Sequence, residues 1–106
     1  MPSEKYALIV LPRAAQDMEG IFDYIATELK NKSAAVKQIS DFQQALNRVC
    51  EMPQSCSLIN NEYVNEKGLR KLIVNNYIVF YKDSIDNKEI QVIRVLYGMT
   101  DFESIL

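Results

Sequence analysis

Across its 106 residues the chain contains no histidine. Histidine is the side chain whose ordinary pKa best suits proton transfer near neutral pH. Its absence excludes histidine-based triads and HExxH zinc chemistry and removes the usual general acid or base. Cysteine is scarce: Cys50 and Cys56 are the only two. Two cysteines without histidine do not make a zinc site. Cys50 falls on the apolar side of a predicted helix and Cys56 in a loop, so both read as free thiols in a reducing compartment. No metal or cofactor is expected. No apolar run approaches the roughly 20 residues of a membrane span. The opening Met1-Pro2-Ser3-Glu4-Lys5 leads only into the short run Tyr6 to Leu11, too short for the greasy part of a signal peptide. These absences lead to the expectation of a cytoplasmic protein that does not engage membranes. Internal repeats, low-complexity tracts and linkers are also missing.

What is present suits one ordinary globule. Apolar residues make up 48% of the chain and charged residues 25%, enough for one core without disulfide or metal staples. Residues 1–106 are therefore read as a single domain. The net charge of −2 is unevenly spread. Residues 1–66 hold six Lys/Arg against nine Asp/Glu, whereas residues 67–97 hold Lys67, Arg70, Lys71, Lys82, Lys88 and Arg94 against Asp83, Asp86 and Glu89. The C-terminal third is the basic part of an acidic protein. Overall acidity argues against strong nonspecific nucleic-acid binding, which requires several phosphate contacts in a favourable field.

Hydrophobic spacing orders the elements. Tyr6 to Leu11 reads as a buried strand, and Pro12 ends it and opens a helix. That helix is expected over about Arg13–Lys30, with Ala15, Met18, Ile21, Phe22, Ile25 and Leu29 at steps of three and four. Gly20 costs about 1 kcal/mol there relative to alanine and is either a close approach of another helix or a tolerated flaw. Asn31-Lys32-Ser33 breaks the pattern. Ser33 is the expected N-cap of a second helix bearing Ala35, Ile39, Phe42, Leu46 and Val49, which Pro53 stops. The short connection makes the pair an αα-hairpin. Gln54 to Glu66 reads as irregular, with a turn at Asn60-Asn61.

Three strands follow, over residues 68–74, 77–81 and 90–97. They turn at Asn75-Asn76 and Asp86-Asn87, where the residue types tolerate left-handed backbone. Gly98 ends the last, and Asp101 is placed to cap a final short turn. The fold class is α+β in the order β-α-α-β-β-β, an antiparallel sheet with the hairpin on one face. Strict alternation puts Gln91, Ile93, Val95 and Tyr97 on one face of the last strand and Ile90, Val92, Arg94 and Leu96 on the other. Charged residues inside strands are costly unless solvated or paired. Strands that keep Arg70, Lys71 and Arg94 therefore suggest a wet, cationic face open to a macromolecule. The structural alternative is that Arg70 and Arg94 lock the sheet through acids such as Glu66 or Asp101, that Tyr77 and Tyr81 are core tyrosines with hydroxyls at the rim, and that Lys71 is simply solvated. Tyr97, near a strand end, is the more exposed tyrosine.

These residues resemble the RelE/ParE superfamily of bacterial type II toxins, over nearly the whole chain. The resemblance is carried by the element order, by Asp17, Tyr24 and Ile25 in the hairpin, by Ala34-Ala35 and by Pro53. Its most specific blocks are Gly68-Leu69-Arg70, Asn76-Tyr77-Ile78-Val79-Phe80-Tyr81 and Ile93-Arg94-Val95-Leu96-Tyr97-Gly98 with Asp101. The resemblance implies the toxin of a toxin–antitoxin, plasmid-stabilisation-like system. Such a toxin inhibits growth and is neutralised by a cognate antitoxin, in a hetero-oligomer with it. RelE-like members cut mRNA on the ribosome without metal; ParE-like members poison DNA gyrase and cut nothing.

Cleavage by 2′-hydroxyl attack needs a base, a cation at the phosphate and an acid for the leaving oxygen. The candidates here are Arg70, Lys71, Lys82, Arg94, Tyr81 and Tyr97. Ile78 stands where RelE-like members carry an arginine after the turn, and Gly98 or Met99 where they carry a C-terminal basic residue or histidine. The blocks fit the ParE-like branch better, which implies gyrase as target. The alternatives are a ribosome-dependent mRNA endonuclease and a non-toxic module that still binds an antitoxin.

Overall fold

The computed structural model describes residues 5–56, 58 and 68–99. In chain order these form β1 (Ala7–Val10), α1 (Pro12–Asp23), a π-helical turn (Tyr24–Glu28), α2 (Lys32–Glu51), β2 (Arg70–Val74), β3 (Tyr77–Ser84) and β4 (Glu89–Tyr97). The β-α-α-β-β-β order is as expected. The turn expected at Asn60-Asn61 and the one capped by Asp101 lie outside the described residues.

The strands lie in the order β1-β4-β3-β2. β2, β3 and β4 form the expected antiparallel meander. β1 joins the far side of β4 in parallel, Ala7 opposite Glu89 and Val10 opposite Val92, so the whole sheet is mixed rather than purely antiparallel. The hairpin α1–α2 makes the crossover that parallel pairing requires. β1 is not the buried strand its aliphatic run suggests. Leu8, Ile9 and Val10 are each a little over a third exposed, because an edge strand has a neighbour on one side only.

Pro12 occupies the first turn of α1, where a missing N–H costs nothing. Regular α-helix ends at Asp23, and the Leu29 N–H then donates to the Tyr24 carbonyl five residues back. That wider turn leaves Ile25 buried against the core and Tyr24 about half exposed. A side chain added at Gly20 would meet nothing within 4 Å, so no other helix approaches there. The cap of α2 is Asn31, not Ser33. The Asn31 Oδ1 accepts from the Ala34 N–H at 3.1 Å and from the Ser33 hydroxyl at 3.1 Å. Both residue types make good caps, and the chain enters the helix two residues earlier than expected. Ala35, Phe42, Leu46 and Val49 are buried, as the stripe on α2 predicts.

The meander departs from strict alternation at one point. Phe80 pairs with Arg94 and Tyr81 with Val92, leaving Ile93 as an extra residue in β4. This β-bulge resets which side each later residue faces. Val92 and Val95 consequently share the helix-side core with Ala14, Phe42, Leu46 and Val79. Ile93 and Leu96 pack with Ile78, Phe80 and Leu69 in a second cluster. The expected grouping of Val92 with Leu96 is thereby corrected.

The two-residue turn at Asn75-Asn76 is present, with Asn75 at φ +57°. Its side-chain amide donates to Gln38 and Asp41 of α2 at 3.2 and 2.9 Å. The carboxyl of Asp41 is held below its usual range by that bond and by Lys37. The Gly98 N–H donates to the Asn76 carbonyl at 2.8 Å, and a Cβ at Gly98 would stand 3.1 Å from that oxygen. A side chain at residue 98 would crowd this closure, and the turn would have to give by a few tenths of an ångström.

Candidate functional site

Arg70 and Arg94 do not line a wet cationic face. Their side chains are 14% and 13% exposed. A guanidinium so far removed from water needs a counter-ion and filled hydrogen bonds, and each finds both. The Arg70 Nε donates to the Asp83 Oδ1 at 2.8 Å, and its Nη1 to the Cys56 carbonyl at 2.7 Å. Arg94 grips Asp17 with two bonds, Nε to Oδ2 at 2.7 Å and Nη2 to Oδ1 at 3.1 Å. The described partners are Asp83 and Asp17; the expected Glu66 and Asp101 lie outside the described residues.

Each pair also ties down backbone. β1 stops pairing with β4 at Val92. Beyond that point the Val95 N–H donates to the Asp17 Oδ2 at 3.0 Å, so α1 takes over as the cover of the strand edge. At the other pair, Tyr81 stands opposite Arg70 and is fully buried. Its hydroxyl donates to the Pro53 carbonyl at 3.1 Å, and the Gln54 amide donates to Asp83 at 3.4 Å. Arg70, Tyr81 and Asp83 together fasten residues 53–56 to the sheet. Burial pushes the Tyr81 hydroxyl well above the ordinary tyrosine range, with Cys56 adding to the shift and Arg70 opposing it. Tyr81 stays protonated near neutral pH.

Lys71 is exposed on β2. Tyr97 is half exposed at the end of β4 and pairs across with Tyr77, four residues along β3 from Tyr81. At the strand rise per residue that is roughly 13 Å from the Arg70–Tyr81 row. The candidate residues are therefore distributed along the sheet, not gathered on one point. Among the described residues no group of three His, Cys, Asp or Glu could hold a metal. Cys50 is buried and Cys56 half-buried, both free thiols, and burial raises the Cys50 pKa.

A different surface emerges where β4 ends. The Tyr77 ring meets Phe42 edge-on at 5.7 Å and Tyr97 edge-on at 5.9 Å, a relay of rings from core to surface. Burial, then Tyr24 and Tyr97, raise the Tyr77 pKa. Between these rings and α1 runs a groove of about 480 Å³, walled by Gln16, Gly20 and Tyr24 on one side and by Tyr77, Leu96 and Tyr97 on the other. A second hollow of about 340 Å³ shares Tyr77 and Tyr97 and adds Ile73 and Met99. The sequence expectations do not include this groove. Its signal was the spacing of Gln16, Gly20 and Tyr24, four residues apart on one helix face.

The family described as "ParE toxin of type II toxin-antitoxin system, parDE" matches residues 8–102. The chain belongs to the ParE toxin family. Solved structures agree on the fold. The chromosomal ParDE system of P. aeruginosa superposes with a TM-score of 0.70 at 20% identity, covering 88% of this chain and 96% of that one. A mutant of the E. coli toxin RelE in the free state gives 0.64 at 14% identity, covering 96% and 93%. The RelBE2 toxin–antitoxin complex of Mycobacterium tuberculosis gives 0.63 at 13% identity, covering 89% and 99%. No curated protein matches significantly. No helix among the described residues of this ParE-family chain is long and apolar enough to cross a membrane.

Proposed function

We propose that this ParE-family toxin inhibits DNA gyrase by binding it and is neutralised by a cognate antitoxin. One observation carries the choice over RNA cleavage: the two arginines best suited to hold a scissile phosphate, Arg70 and Arg94, are tied to Asp83 and Asp17. A paired, largely buried guanidinium has little charge left to offset a developing phosphorane. The buried, protonated Tyr81 is equally unsuited to act as base. In this reading Arg70, Tyr81 and Arg94 are positioning residues, and exposed Lys71 and Tyr97 are left to touch the target. The P. aeruginosa ParDE likeness supports a partner antitoxin here too.

Expression of the chain alone should arrest bacterial growth, with rescue by the adjacent gene. Purified protein should inhibit supercoiling by gyrase and leave translated mRNA intact. Site-specific cleavage in the ribosomal A site, read by primer extension, would replace this reading with the endonuclease. Harmless overexpression of soluble, folded chain would favour the non-toxic module.

A further inference from the structure

The two thiols take no part in the function proposed above, yet the fold brings them to one place. α2 ends at Glu51, one residue after Cys50. The chain then reverses, with the Ser55 N–H donating to the Met52 carbonyl at 3.0 Å, and Cys56 follows the turn. Cys50 belongs to a buried cluster with Val49, Tyr81 and Ile90, and Cys56 packs against that same cluster. The Cys56 side chain also lies close enough to the Tyr81 hydroxyl to raise its pKa through a hydrogen bond. The stretch between the thiols is the part of the chain able to give. Beyond α2 it has neither helix nor ladder to hold it. It is fastened by side-chain bonds instead, from Arg70 to the Cys56 carbonyl, from Tyr81 to the Pro53 carbonyl and from Gln54 to Asp83. A disulfide between residues 50 and 56 asks only that such a segment settle inward.

The two sulfurs differ in reach. Cys50 is 1% exposed and its pKa is raised by burial, so it is inert toward solutes. Cys56 is half-buried, and its Sγ lies 3.9 Å from the Ser55 hydroxyl in a contact open to solvent. A hollow of about 480 Å³ lies over the same segment, lined by Glu51, Met52, Pro53, Gln54 and Ser55 with Tyr6 and Ile85. A small oxidant meets Cys56 first.

We propose that Cys50 and Cys56 are a redox pair, joined reversibly as an intrachain disulfide by a hydroperoxide. The Cys56 thiolate attacks the peroxide O–O bond, forming a sulfenic acid and releasing the alcohol, or water from hydrogen peroxide. The Cys50 thiolate then attacks that sulfur. The S–S bond forms, the S–O bond breaks, and hydroxide leaves to take up the Cys50 proton as water. Two electrons pass from the thiols to the peroxide. Reduction by a dithiol restores both. The pair stands whether or not the chain acts on gyrase.

The test treats the reduced, folded full chain with hydrogen peroxide and follows its intact mass. Before treatment, iodoacetamide should label Cys56 at least about 10-fold faster than Cys50. After treatment the monomer should lose two hydrogens, about 2 Da. Neither cysteine should then alkylate even when the chain is unfolded, and dithiothreitol should restore both. In Cys50→Ala, Cys56 should gain oxygens or link two chains instead. In Cys56→Ser, Cys50 should stay unmodified over the time that closes the parent's disulfide. Circular dichroism checks that both variants fold. A parent whose Cys56 gains oxygens or links two chains, while Cys50 still alkylates after unfolding, overturns the pair. Oxidation of Cys50 in Cys56→Ser at the parent's rate overturns the order of the two steps.

Discussion

The two ends of the sheet treat their polar groups in opposite ways. At the end where Arg70 faces Tyr81, side-chain donors are directed inward. Arg70, Tyr81 and Gln54 are all hydrogen-bonded, and the bonds reach the Pro53 and Cys56 carbonyls or Asp83. At the end where β4 finishes, the side chains are aromatic or aliphatic, and Tyr24, Tyr97, Ile73 and Met99 are each at least half exposed. The first arrangement holds the molecule together; the second leaves unburied the kind of surface that gains from being covered. A charged residue in a strand is thus a poor guide to function by itself. Burial and partners decide whether it serves the fold or a target.

The largest expected effect breaks the Arg94–Asp17 clasp. Arg94→Ala leaves the Asp17 carboxylate without its cation and should cost about 3 kcal/mol in urea unfolding. Arg94→Lys should lose less, since it keeps the charge but not the two-point grip. An Arg94→Ala variant as stable as the parent would return that arginine to the list of residues free to work on a target. Next comes Tyr81→Phe, expected to cost about 1 kcal/mol by leaving the Pro53 carbonyl without its donor. It carries a pH signature. The folded-state pKa of Tyr81 is raised, so the fold retains a proton that the unfolded chain sheds near pH 10. Stability from this group is fully present below that pH and is lost above it. Tyr81→Phe should flatten the alkaline fall, leaving the parts due to Tyr77 and Cys50, whose shifts have the same sign.

Periodicity made both helices and the meander legible, because apolar spacing and turn chemistry are properties of neighbouring residues. The Ala35, Phe42, Leu46, Val49 stripe and the Asn75-Asn76 turn needed nothing from afar. The arginine partners did: Asp83 lies 13 residues from Arg70, and Asp17 lies 77 from Arg94. The bulge at Ile93 was hidden for the same reason, since it exists only in the register of β4 against β3. β1 looked like an interior strand because its run is aliphatic, and only the topology makes it an edge. Tyr97 reads as exposed from its place near a strand end, but its companions Tyr24 and Gly20 come from elements more than 70 residues earlier. A groove made by two distant segments shows only one wall in local sequence, here the Gln16, Gly20, Tyr24 spacing.

The smaller effects belong to the groove and test whether it is surface. Gly20→Ala should stabilise the chain by up to about 1 kcal/mol, because glycine is a poor helix former and the added methyl has room. Tyr97→Ala removes one edge-on ring contact and should cost about 1 kcal/mol. Smallest of all is Tyr24→Ala, expected within about 0.5 kcal/mol of the parent. Its ring is more than half exposed and sits on the turn where the helix widens, so truncation there opens no void in the core. Should Tyr24→Ala instead cost as much as a core truncation, the groove would be part of the folded interior. The contrast between a satisfied end and an unsatisfied one would then reduce to two kinds of structural packing, one ionic and one aromatic.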